Sequence, residues 1–444
     1  MAVTESGAEG PLPEAALAPG LSPLARARAI LGGSAGNLVE WYDWFAYSSF
    51  ALYFAKHFFP KGDQTAQLLQ AAAVFAVGFL ARPVGAWLMG LYADRAGRRA
   101  ALTLSVSLMC AGSFAIAIIP DYGAIGALAP ILLLTARLVQ GLSLGGEYGA
   151  SATYLSEMAG RGRRGFWSSF QFMTLIMGQL TALAVLLVLQ NVLPKADLEA
   201  WGWRIPFAIG GLLAIVVFFM RRGLEESASY LAAKASGAER SRTMLLFLKF
   251  PRETGAIFVL TAGGSLAFYA YTTYMQKFLV NTAGFSKDAA TAISAASLFV
   301  YMLIQPLFGL ASDRIGSKTC LVFAFAAGAL LTYPVMSTIA HTRDAAVALA
   351  LVVVLLFVLS GYTAVNALVK AELFPAHVRA LGVSLPYAAA NAVFGGTAEY
   401  AALWFKQAGR ESGFYIYVAL IMAAALVVAL RLRNTNRESL ILED

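Results

Sequence analysis

The stretch Gly90-Leu91-Tyr92-Ala93-Asp94-Arg95-Ala96-Gly97-Arg98-Arg99 is a short basic segment that separates two long apolar runs. A similar stretch, Gly309-Leu310-Ala311-Ser312-Asp313-Arg314-Ile315-Gly316-Ser317-Lys318, occupies a similar position in the second half of the chain. In each copy a glycine allows the backbone to turn, and an aspartate and basic residues surround it. Basic residues between apolar runs favour the cytoplasmic surface of a membrane. We therefore interpret each stretch as a cytoplasmic loop that joins two membrane helices.

A second pair of markers follows the two loops in the same order. Glu157 and Arg164 stand seven residues apart in the first half, and Glu372 and Arg379 have the same spacing in the second half. Two markers that recur in the same order at nearly the same offset indicate an internal duplication. The chain is therefore predicted to consist of two similar halves.

The composition is that of a membrane protein. Hydrophobic residues make up 59% of the 444 residues, charged residues make up only 13%, and the mean hydropathy is +0.68. A water-soluble protein of this length could not bury so much apolar surface. The net charge of +8 is spread in small groups between apolar runs, which indicates membrane topology and not a nucleic-acid surface. Cys110 and Cys320 lie in or beside separate apolar runs and are expected to be free thiols.

Twelve apolar runs are long enough to cross a bilayer as helices. The chain is therefore predicted to be an all-α membrane protein with twelve transmembrane helices in two six-helix bundles, at 25–222 and 251–432. A basic linker at 223–250 joins the bundles, and tails at 1–24 and 433–444 flank them. The predicted spans are 30–55, 66–93, 100–119, 124–150, 165–193, 203–222, 253–281, 289–312, 319–340, 345–370, 380–404 and 412–431.

The basic residues also predict the orientation of these spans. If the first span runs outward, most of the 33 Lys and Arg residues, Lys370 among them, fall in segments that face the cytoplasm. Because positive residues are retained on that side, both termini and the 223–250 linker are predicted to be cytoplasmic. Residues 1–24 lack a basic leading segment, so they are predicted to form a disordered tail and not a signal peptide.

Four charged residues lie inside apolar spans of the first half. Glu40 and Asp43 stand three residues apart, hence on one face of the first helix, while Arg82 and Arg137 belong to the second and fourth spans. Charged groups are costly in lipid, so they normally face a partner or a water-filled path. We predict a buried charge network that lines a central cavity. The alternative is that Arg82 or Arg137 only neutralises Glu40 or Asp43 in a structural ion pair.

Three further charged residues can each be interpreted from their depth in a span. Glu147 lies nearer the cytoplasmic end of the fourth span, where pairing with a loop arginine is expected. Lys277 lies near the outer end of its span, where its ammonium group either extends to the interface or meets an anionic ligand. Glu399 is central in the eleventh span and is either paired across the cavity or protonated.

The segment Gly36-Asn37-Leu38-Val39-Glu40-Trp41-Tyr42-Asp43, together with the paired loops, resembles the major facilitator superfamily and, within it, the metabolite:proton symporter branch. The same branch fits Arg82-Pro83, Gln140-Gly141 through Gly145-Gly146-Glu147-Tyr148, and Gly202-Trp203-Arg204-Ile205-Pro206-Phe207. The resemblance covers roughly residues 30–430. It implies a secondary transporter whose two bundles rock about a site near the membrane midplane.

Three segments of the second half resemble the dicarboxylate carriers of this branch. They are Thr272-Thr273-Tyr274-Met275-Gln276-Lys277, Leu368-Val369-Lys370-Ala371-Glu372 and Gly395-Gly396-Thr397-Ala398-Glu399-Tyr400. They imply proton-coupled symport of a dicarboxylate, with 2-oxoglutarate as the expected substrate, in the inner membrane of the cell. No cofactor is expected because the proton gradient supplies the energy. The expected partners are the dicarboxylate, protons and the lipid bilayer, with no nucleic acid, and the chain is expected to act as a monomer.

Two alternatives stay open at this point. One is a symporter of another small organic anion or osmolyte, such as citrate, shikimate, proline or betaine. Osmosensing relatives add a long coiled coil, for which residues 431–444 leave no room. The other alternative is a membrane sensor that does not transport, which would normally need an added signalling domain. Uptake of labelled substrate by sealed vesicles separates transporter from sensor.

One motif suggests an enzyme but does not fit its context. Gly141-Leu142-Ser143-Leu144-Gly145 matches the Gly-x-Ser-x-Gly nucleophile elbow, which requires a strand-to-helix turn in a soluble α/β sheet. Here the motif continues a membrane helix, so a hydrolase is rejected. No phosphate-binding loop or metal-ligand spacing occurs elsewhere, and we therefore expect neither an enzyme nor a metal site.

The sequence thus predicts three groups of functional residues. Substrate binding is assigned to Arg82, Arg137, Tyr47, Gln171, Tyr274, Lys277 and Asn391. Proton coupling is assigned to Glu40 and Asp43, because a partly desolvated acid beside a displaceable arginine can titrate near neutrality. Gating is assigned to Asp94, Arg98, Asp313 and Arg314, although the second loop has Ser317 where the family usually has a basic residue.

Overall fold

The structure, a computed structural model, describes residues 23–96, 98–143, 163–222, 249–374 and 376–432. Within these residues it contains helices and no strand. The helices of the first half are α1 (Pro23–Phe58), α2 (Gln64–Ala96), α3 (Arg98–Ile118), α4 (Tyr122–Ile125), α5 (Leu128–Ser143), α6 (Arg164–Val192), α7 (Lys195–Ala200) and α8 (Ile205–Arg222), with a 3-10 turn at Gly202–Arg204.

The second half contains nine helices among its described residues. They are α9 (Pro251–Tyr271), α10 (Met275–Asn281), α11 (Lys287–Ile315), α12 (Ser317–His341), α13 (Ala345–Thr363), α14 (Asn366–Glu372), α15 (Ala376–Ala390), α16 (Ala398–Gln407) and α17 (Glu411–Arg431). One π-helical turn, Asn391–Gly395, separates α15 from α16.

These helices form the predicted twelve membrane spans. Seven helical segments of the described chain are long and apolar enough to cross a membrane, and shorter apolar helices occur at Leu104–Ile118 and Leu128–Ser143. Helices α4 and α7 are short connectors, and α9 with α10, α13 with α14, and α15 with α16 each form one interrupted span. The division into bundles at 25–222 and 251–432 stays a prediction, because linker residues 223–248 and tail residues 1–22 and 433–444 lie outside the described residues.

Three spans of the second half are interrupted, although the sequence predicts continuous apolar runs there. The breaks are a turn at Thr272–Tyr274, a turn between α13 and α14, and the π-helical turn before α16. Irregular backbone at membrane depth is stable only where protein or a cavity covers it, and Thr272, Ala364 and Asn391 are indeed buried. Hydropathy does not detect these interruptions, because each is short and lies within a run that is apolar on average.

The two halves pack closely along helices α6 and α11. A Cβ atom placed on Gly165 would lie 2.0 Å from Ser312 Oγ, and one on Gly309 would lie 2.7 Å from the Gly165 carbonyl oxygen. Only glycine fits at these two positions, as expected where membrane helices approach through small residues.

An aromatic cluster also joins the halves at the centre of the molecule. The Phe79 and Tyr269 rings are 5.3 Å apart between centroids, and those of Phe172 and Phe268 are 5.8 Å apart. Each pair has a T-shaped geometry, which favours aromatic contact beyond simple burial. Phe79 of this cluster also contacts the buried guanidinium group of Arg82.

Candidate functional site

Arg82 of α2 lies on the aromatic cluster in the centre of the molecule. Its guanidinium carbon is 4.0 Å from the Trp44 ring centroid and 4.2 Å from that of Phe79. Nε and Nη2 are buried and have no hydrogen-bond partner among the described residues. Stacking on aromatic rings stabilises the cation but leaves its in-plane donors available. Arg82 is therefore buried, as the sequence predicts, and two of its nitrogen atoms keep unused hydrogen-bond donors.

A small cavity lies between the halves near Arg82. Phe172 and Leu175 of α6 line one side, and the second half contributes the other side with Gly264, Ser265, Phe268, Tyr269, Tyr362, Tyr387 and Asn391. The charge of Arg82 acts electrostatically on the hydroxyl groups of Tyr269 and Tyr387. The cavity thus combines aromatic walls with a few polar groups, which is the usual character of a small-molecule site.

Lys370 of α14 reaches the same tyrosines from the second half. Its side chain is 1% exposed, and Nζ lies 4.3 Å from the ring centroid of Tyr387 and 6.0 Å from that of Tyr362. The topology prediction placed Lys370 among the cytoplasmic charges, and this is wrong because the lysine is buried in the protein. The signal was available, since Lys370 ends the apolar run 345–370.

Asp43 occupies a separate polar network inside the first half. Ser113 Oγ donates to Oδ1 of Asp43, and Gln140 Nε2 donates to Oδ2 at 2.7 Å. A Cβ atom on Gly210 of α8 would lie 2.4 Å from Oδ1, so the carboxyl group is enclosed by α3, α5 and α8. The hydroxyl and amide donors stabilise a carboxylate that has been withdrawn from water.

Arg137 is connected to this network through an amide and not by a direct ion pair. Its Nη1 donates to Gln140 Oε1 at 2.8 Å, and Gln140 in turn donates to Asp43. The side chain is 0% exposed, and its guanidinium carbon lies 4.0 Å from the Trp44 ring centroid and 4.5 Å from that of Tyr47. Both Arg82 and Arg137 therefore contact the indole ring of Trp44, so the two arginines lie close together.

Glu40 and Asp43 have different surroundings although they share a face of α1. Glu40 is buried and acts electrostatically on Arg82, whereas Asp43 contacts Ser113 and Gln140. The predicted network of two acids and two bases is thus divided into an Arg82 side and an Arg137 side.

Lys277 and Glu399 form an ion pair that is almost completely buried. Lys277 Nζ lies 3.0 Å from Glu399 Oε1, and the two side chains are 0% and 3% exposed. Ser48 of α1 donates to Glu399 Oε2 at 2.9 Å and accepts a hydrogen bond from Lys277. Of the two interpretations of Glu399, the paired one is present in the structure, with Lys277 as the partner. Lys277 therefore does not extend to the membrane interface.

The remaining predicted substrate residues have varied positions. Asn391 lines the central cavity, and Gln171 is buried in α6. Tyr47 donates its hydroxyl hydrogen to the Ala71 carbonyl at 3.0 Å and so joins two helices. Tyr274 points to Glu411, with the two oxygens 3.5 Å apart. Asn391 is therefore the member of this group that directly faces the cavity between the halves.

The second basic loop closes the side that is predicted to be cytoplasmic. Asp313 of α11 accepts hydrogen bonds from the backbone N–H groups of Gly165 at 2.7 Å and Phe166 at 3.0 Å. These N–H groups belong to the first turn of α6, so Asp313 caps a helix of the opposite half. Arg314 is exposed to solvent. The side chains of Asp94 and Arg98, like residue Glu147, lie outside the described residues, and their predicted roles stay predictions.

The opposite side is closed by ion pairs between the halves. Glu199 of α7 contacts Lys287 of α11 at 2.8 Å and Lys56 of α1 at 2.7 Å. Hydrogen bonds from Lys287 and Lys56 lower the pKa of Glu199 to about 2. Gln190 also donates to Thr291 of the other half at 3.2 Å. Contacts between the halves are thus present at both ends, as in an occluded conformation.

Comparison with known proteins identifies relatives over almost the whole chain. The profile of the "Sugar (and other) transporter" family matches residues 29–249 and 250–442. The alpha-ketoglutarate permease of Escherichia coli K12 is 50% identical over 416 residues, which cover 92% of this chain and 94% of that protein. A citrate-proton symporter of Klebsiella pneumoniae is 36% identical over 379 residues, or 84% of each chain.

Solved structures with the same fold are also found. A D-xylose-proton symporter aligns with a TM-score of 0.73 at 20% identity, covering 92% of this chain and 98% of that one. The major facilitator superfamily proton:xylose symporter XylE, bound to 6-bromo-6-deoxy-D-glucose, aligns with a TM-score of 0.72 at 18% identity, covering 94% and 98%. At such identities the likeness concerns the fold alone, and it confirms the predicted fold class.

Proposed function

The chain belongs to the Sugar (and other) transporter family of the major facilitator superfamily, and we propose that it carries 2-oxoglutarate across the membrane together with protons. The observation that carries this proposal is the 50% identity with the alpha-ketoglutarate permease over 92% of the chain. The central site supports it, because a buried arginine with unused donors interacts electrostatically with two tyrosines that line a cavity between the halves.

Arg82 is the residue that we assign to the substrate carboxylate. A guanidinium group presents donors in a planar fork that matches a carboxylate, and the bond is stronger in a site removed from water. Since Trp44 and Phe79 hold the guanidinium group by its faces, binding requires little rearrangement. Arg137 is assigned to charge coupling, because its contact with Gln140 directs it toward Asp43.

Asp43 and Glu40 are the groups that we assign to proton transfer. The substrate is a dianion near neutral pH, and the interior of the cell is negative. Each uncompensated negative charge carried inward is opposed by about 2.3 kcal/mol per 100 mV. Two protons would neutralise the substrate, and two buried acids on one face of α1 fit that requirement. The proton gradient then supplies the energy, with no cofactor.

Transport would proceed by alternate opening of the two closed ends. Outward opening requires the separation of Glu199 from Lys287 and of Ser48 from the Lys277–Glu399 pair. Inward opening requires the separation of Asp313 from the first turn of α6. We further propose that the chain works as a monomer in the inner membrane, with both termini in the cytoplasm and without enzymatic activity.

The test is transport by the purified chain in sealed proteoliposomes. Labelled 2-oxoglutarate should accumulate when an inward proton gradient is imposed and should leave when a proton conductor collapses that gradient. Citrate, shikimate and betaine should compete less well than unlabelled 2-oxoglutarate. Failure to accumulate 2-oxoglutarate in liposomes that hold folded protein would contradict the proposal. Stronger competition by citrate than by 2-oxoglutarate would indicate that citrate is the substrate.

A further inference from the structure

We propose that Lys370 binds the second carboxylate of the dicarboxylate, so that the site holds its ligand between one cation from each half. The inference rests on the proposed function and adds to it the residue that distinguishes a dicarboxylate from a monocarboxylate. Arg82 in α2 is the cation of the first half, and Lys370 in α14 is that of the second half.

The first support is the position of Lys370 in a membrane span. A buried lysine is expensive in a membrane protein and usually marks a ligand or ion pathway. Lys370 is 1% exposed and lies just after the turn that interrupts its span, between Thr363 and Asn366. Interrupted helices of this kind build the ligand sites of many transporters, because the break permits side chains and backbone to face a cavity.

The second support is the geometry around the cavity. The ammonium group of Lys370 lies 4.3 Å from the ring centroid of Tyr387 and 6.0 Å from that of Tyr362. Both rings line the cavity between the halves, as does Asn391. The ammonium group therefore lies beside two tyrosines of the cavity wall, whose aromatic faces stabilise a cation.

The third support is that Arg82 interacts electrostatically with the same tyrosine. Its charge influences the hydroxyl groups of Tyr387 and Tyr269. Tyr387 thus contacts Lys370 and interacts electrostatically with Arg82, and the cavity beside it is lined by both halves. A dicarboxylate placed there can engage Arg82 and Lys370 together, whereas a monocarboxylate can engage only one of them. The site would therefore select for a second carboxylate.

The arrangement also links binding to the movement of the halves. A ligand whose only charged contact is Arg82 would make its strongest interaction with the first half. A ligand held by both cations draws the halves together, because its charges attract a group on each. Selectivity for a dicarboxylate and closure around it would then have one physical cause.

The experiment is a competition assay in proteoliposomes that take up labelled 2-oxoglutarate. The competitor is 2-oxopentanoate, which has the same carbon chain and keto acid end but lacks the second carboxylate. In the unmodified chain, 2-oxoglutarate should compete at least tenfold better, about the effect of one charged hydrogen bond. In Lys370→Gln this preference should fall below about threefold, because only 2-oxoglutarate loses an interaction.

Two further variants make the outcome decisive. Lys406→Gln removes a lysine near the outer end of the same half, where Lys406 pairs with Glu411, and it should leave the preference unchanged. Lys370→Arg keeps the charge and should keep the preference, and it decides the matter if Lys370→Gln does not insert into the membrane. Transport by Lys370→Gln with the preference intact, or by Lys370→Arg with the preference lost, would overturn the inference. Absence of 2-oxoglutarate transport by the unmodified chain would instead refute the proposed function.

Discussion

The carboxylate of Asp313 accepts a hydrogen bond of 2.7 Å from the backbone N–H of Gly165, which belongs to the opposite half of the molecule. The contact is possible because Gly165 has no side chain, since a Cβ there would lie 2.8 Å from Asp313 Oδ1. An aspartate at the first turn of a helix also interacts favourably with the helix dipole. The Asp313 side chain therefore joins the two halves on the side that is predicted to be cytoplasmic, and it does so by capping the end of a helix.

Replacement of Asp313 by alanine should favour opening on the cytoplasmic side. Loss of a helix cap costs about 1 kcal/mol, which shifts an equilibrium by roughly fivefold. Substrate binding should persist while the transport rate falls. Cross-linking of cysteine pairs introduced at the inner ends of α6 and α11 should report the shift, with the exposed neighbour Thr319→Ala as the control. Equal cross-linking in Asp313→Ala and the unmodified chain would refute the role of this contact.

The equivalent prediction for the first loop is that Asp94→Ala also slows transport with binding retained.

The outer contact of Glu199 should resist acid. Hydrogen bonds from Lys287 and Lys56 lower the pKa of Glu199 to about 2, below its ordinary value of 4.5. A lowered carboxyl pKa contributes stability that is complete above the ordinary value and is lost as the pH falls toward the lowered one. The outer contact should therefore remain charged wherever a proton gradient operates, and Glu199 should not carry the transported proton.

The variant Glu199→Gln checks this expectation. It should increase the accessibility of the outer side to a thiol reagent, measured with a cysteine placed beside Tyr53. The difference in accessibility from the unmodified chain should be constant between pH 8 and pH 5, because Glu199 stays ionised throughout. It should become smaller as the pH approaches the lowered pKa of about 2. A difference that disappears near pH 6 would show that Glu199 titrates in the working range.

The buried pair of Lys277 and Glu399 makes a prediction about stability. Removal of one partner of a buried ion pair leaves an uncompensated charge and costs about 3 kcal/mol or more. Glu399→Gln should therefore lower the thermal unfolding temperature in detergent, and Lys277→Met combined with Glu399→Gln should recover part of the loss. If Glu399→Gln alone unfolds at the same temperature as the unmodified chain, the ion pair does not contribute to stability. The control is Lys406→Gln, whose lysine is partly exposed.

Arg137 should be essential for uptake. The motivating observation is that it is fully buried and connects through Gln140 to Asp43. Arg137→Gln should abolish uptake of 2-oxoglutarate while the protein still folds and inserts, as judged by its elution as a single species in detergent. Normal uptake by a well-expressed Arg137→Gln variant would show that Arg137 is not required for transport. Gln140→Leu interrupts the connection to Asp43 and should reproduce part of the defect.

The sequence predicted the twelve spans and the buried arginines, because hydropathy and isolated charges are properties of single segments. Arg82 and Arg137 stand out in apolar runs and were placed correctly in the interior. Partnerships such as Ser48 with Glu399, which are 351 residues apart, depend on how distant helices meet. Such contacts leave no local signal in the chain. The same holds for Gln140, which appears as one more polar residue until its position between Arg137 and Asp43 is known.

Lys370 was misplaced for a different physical reason. Orientation rules count basic residues near the ends of spans, and they assume that such residues face water. The span is interrupted after Thr363, and Lys370, in the short helix that follows, is buried in the protein. A rule based on sequence position could not separate this lysine from a true loop residue.

Asp43 supplies the final prediction, which concerns the separation of proton movement from substrate movement. Exchange of substrate between loaded vesicles requires only binding and rocking, whereas accumulation also requires a proton to be taken up and released. Asp43 is buried and receives donors from Ser113 and Gln140, and it has no contact with the cavity-lining tyrosines in the described structure. Asp43→Asn should therefore lose accumulation driven by a proton gradient but retain exchange.

The competing interpretation is that Asp43 only stabilises the first half by holding Gln140 and, through it, Arg137. In that case accumulation and exchange should decrease together, because the folded site itself would be damaged. Glu40→Gln is the matched comparison, since Glu40 lies on the same face of α1 but beside Arg82. If Asp43→Asn still accumulates 2-oxoglutarate with unchanged pH dependence, Asp43 is not the proton carrier. A loss of accumulation in Glu40→Gln, with exchange retained, would then assign the proton to Glu40.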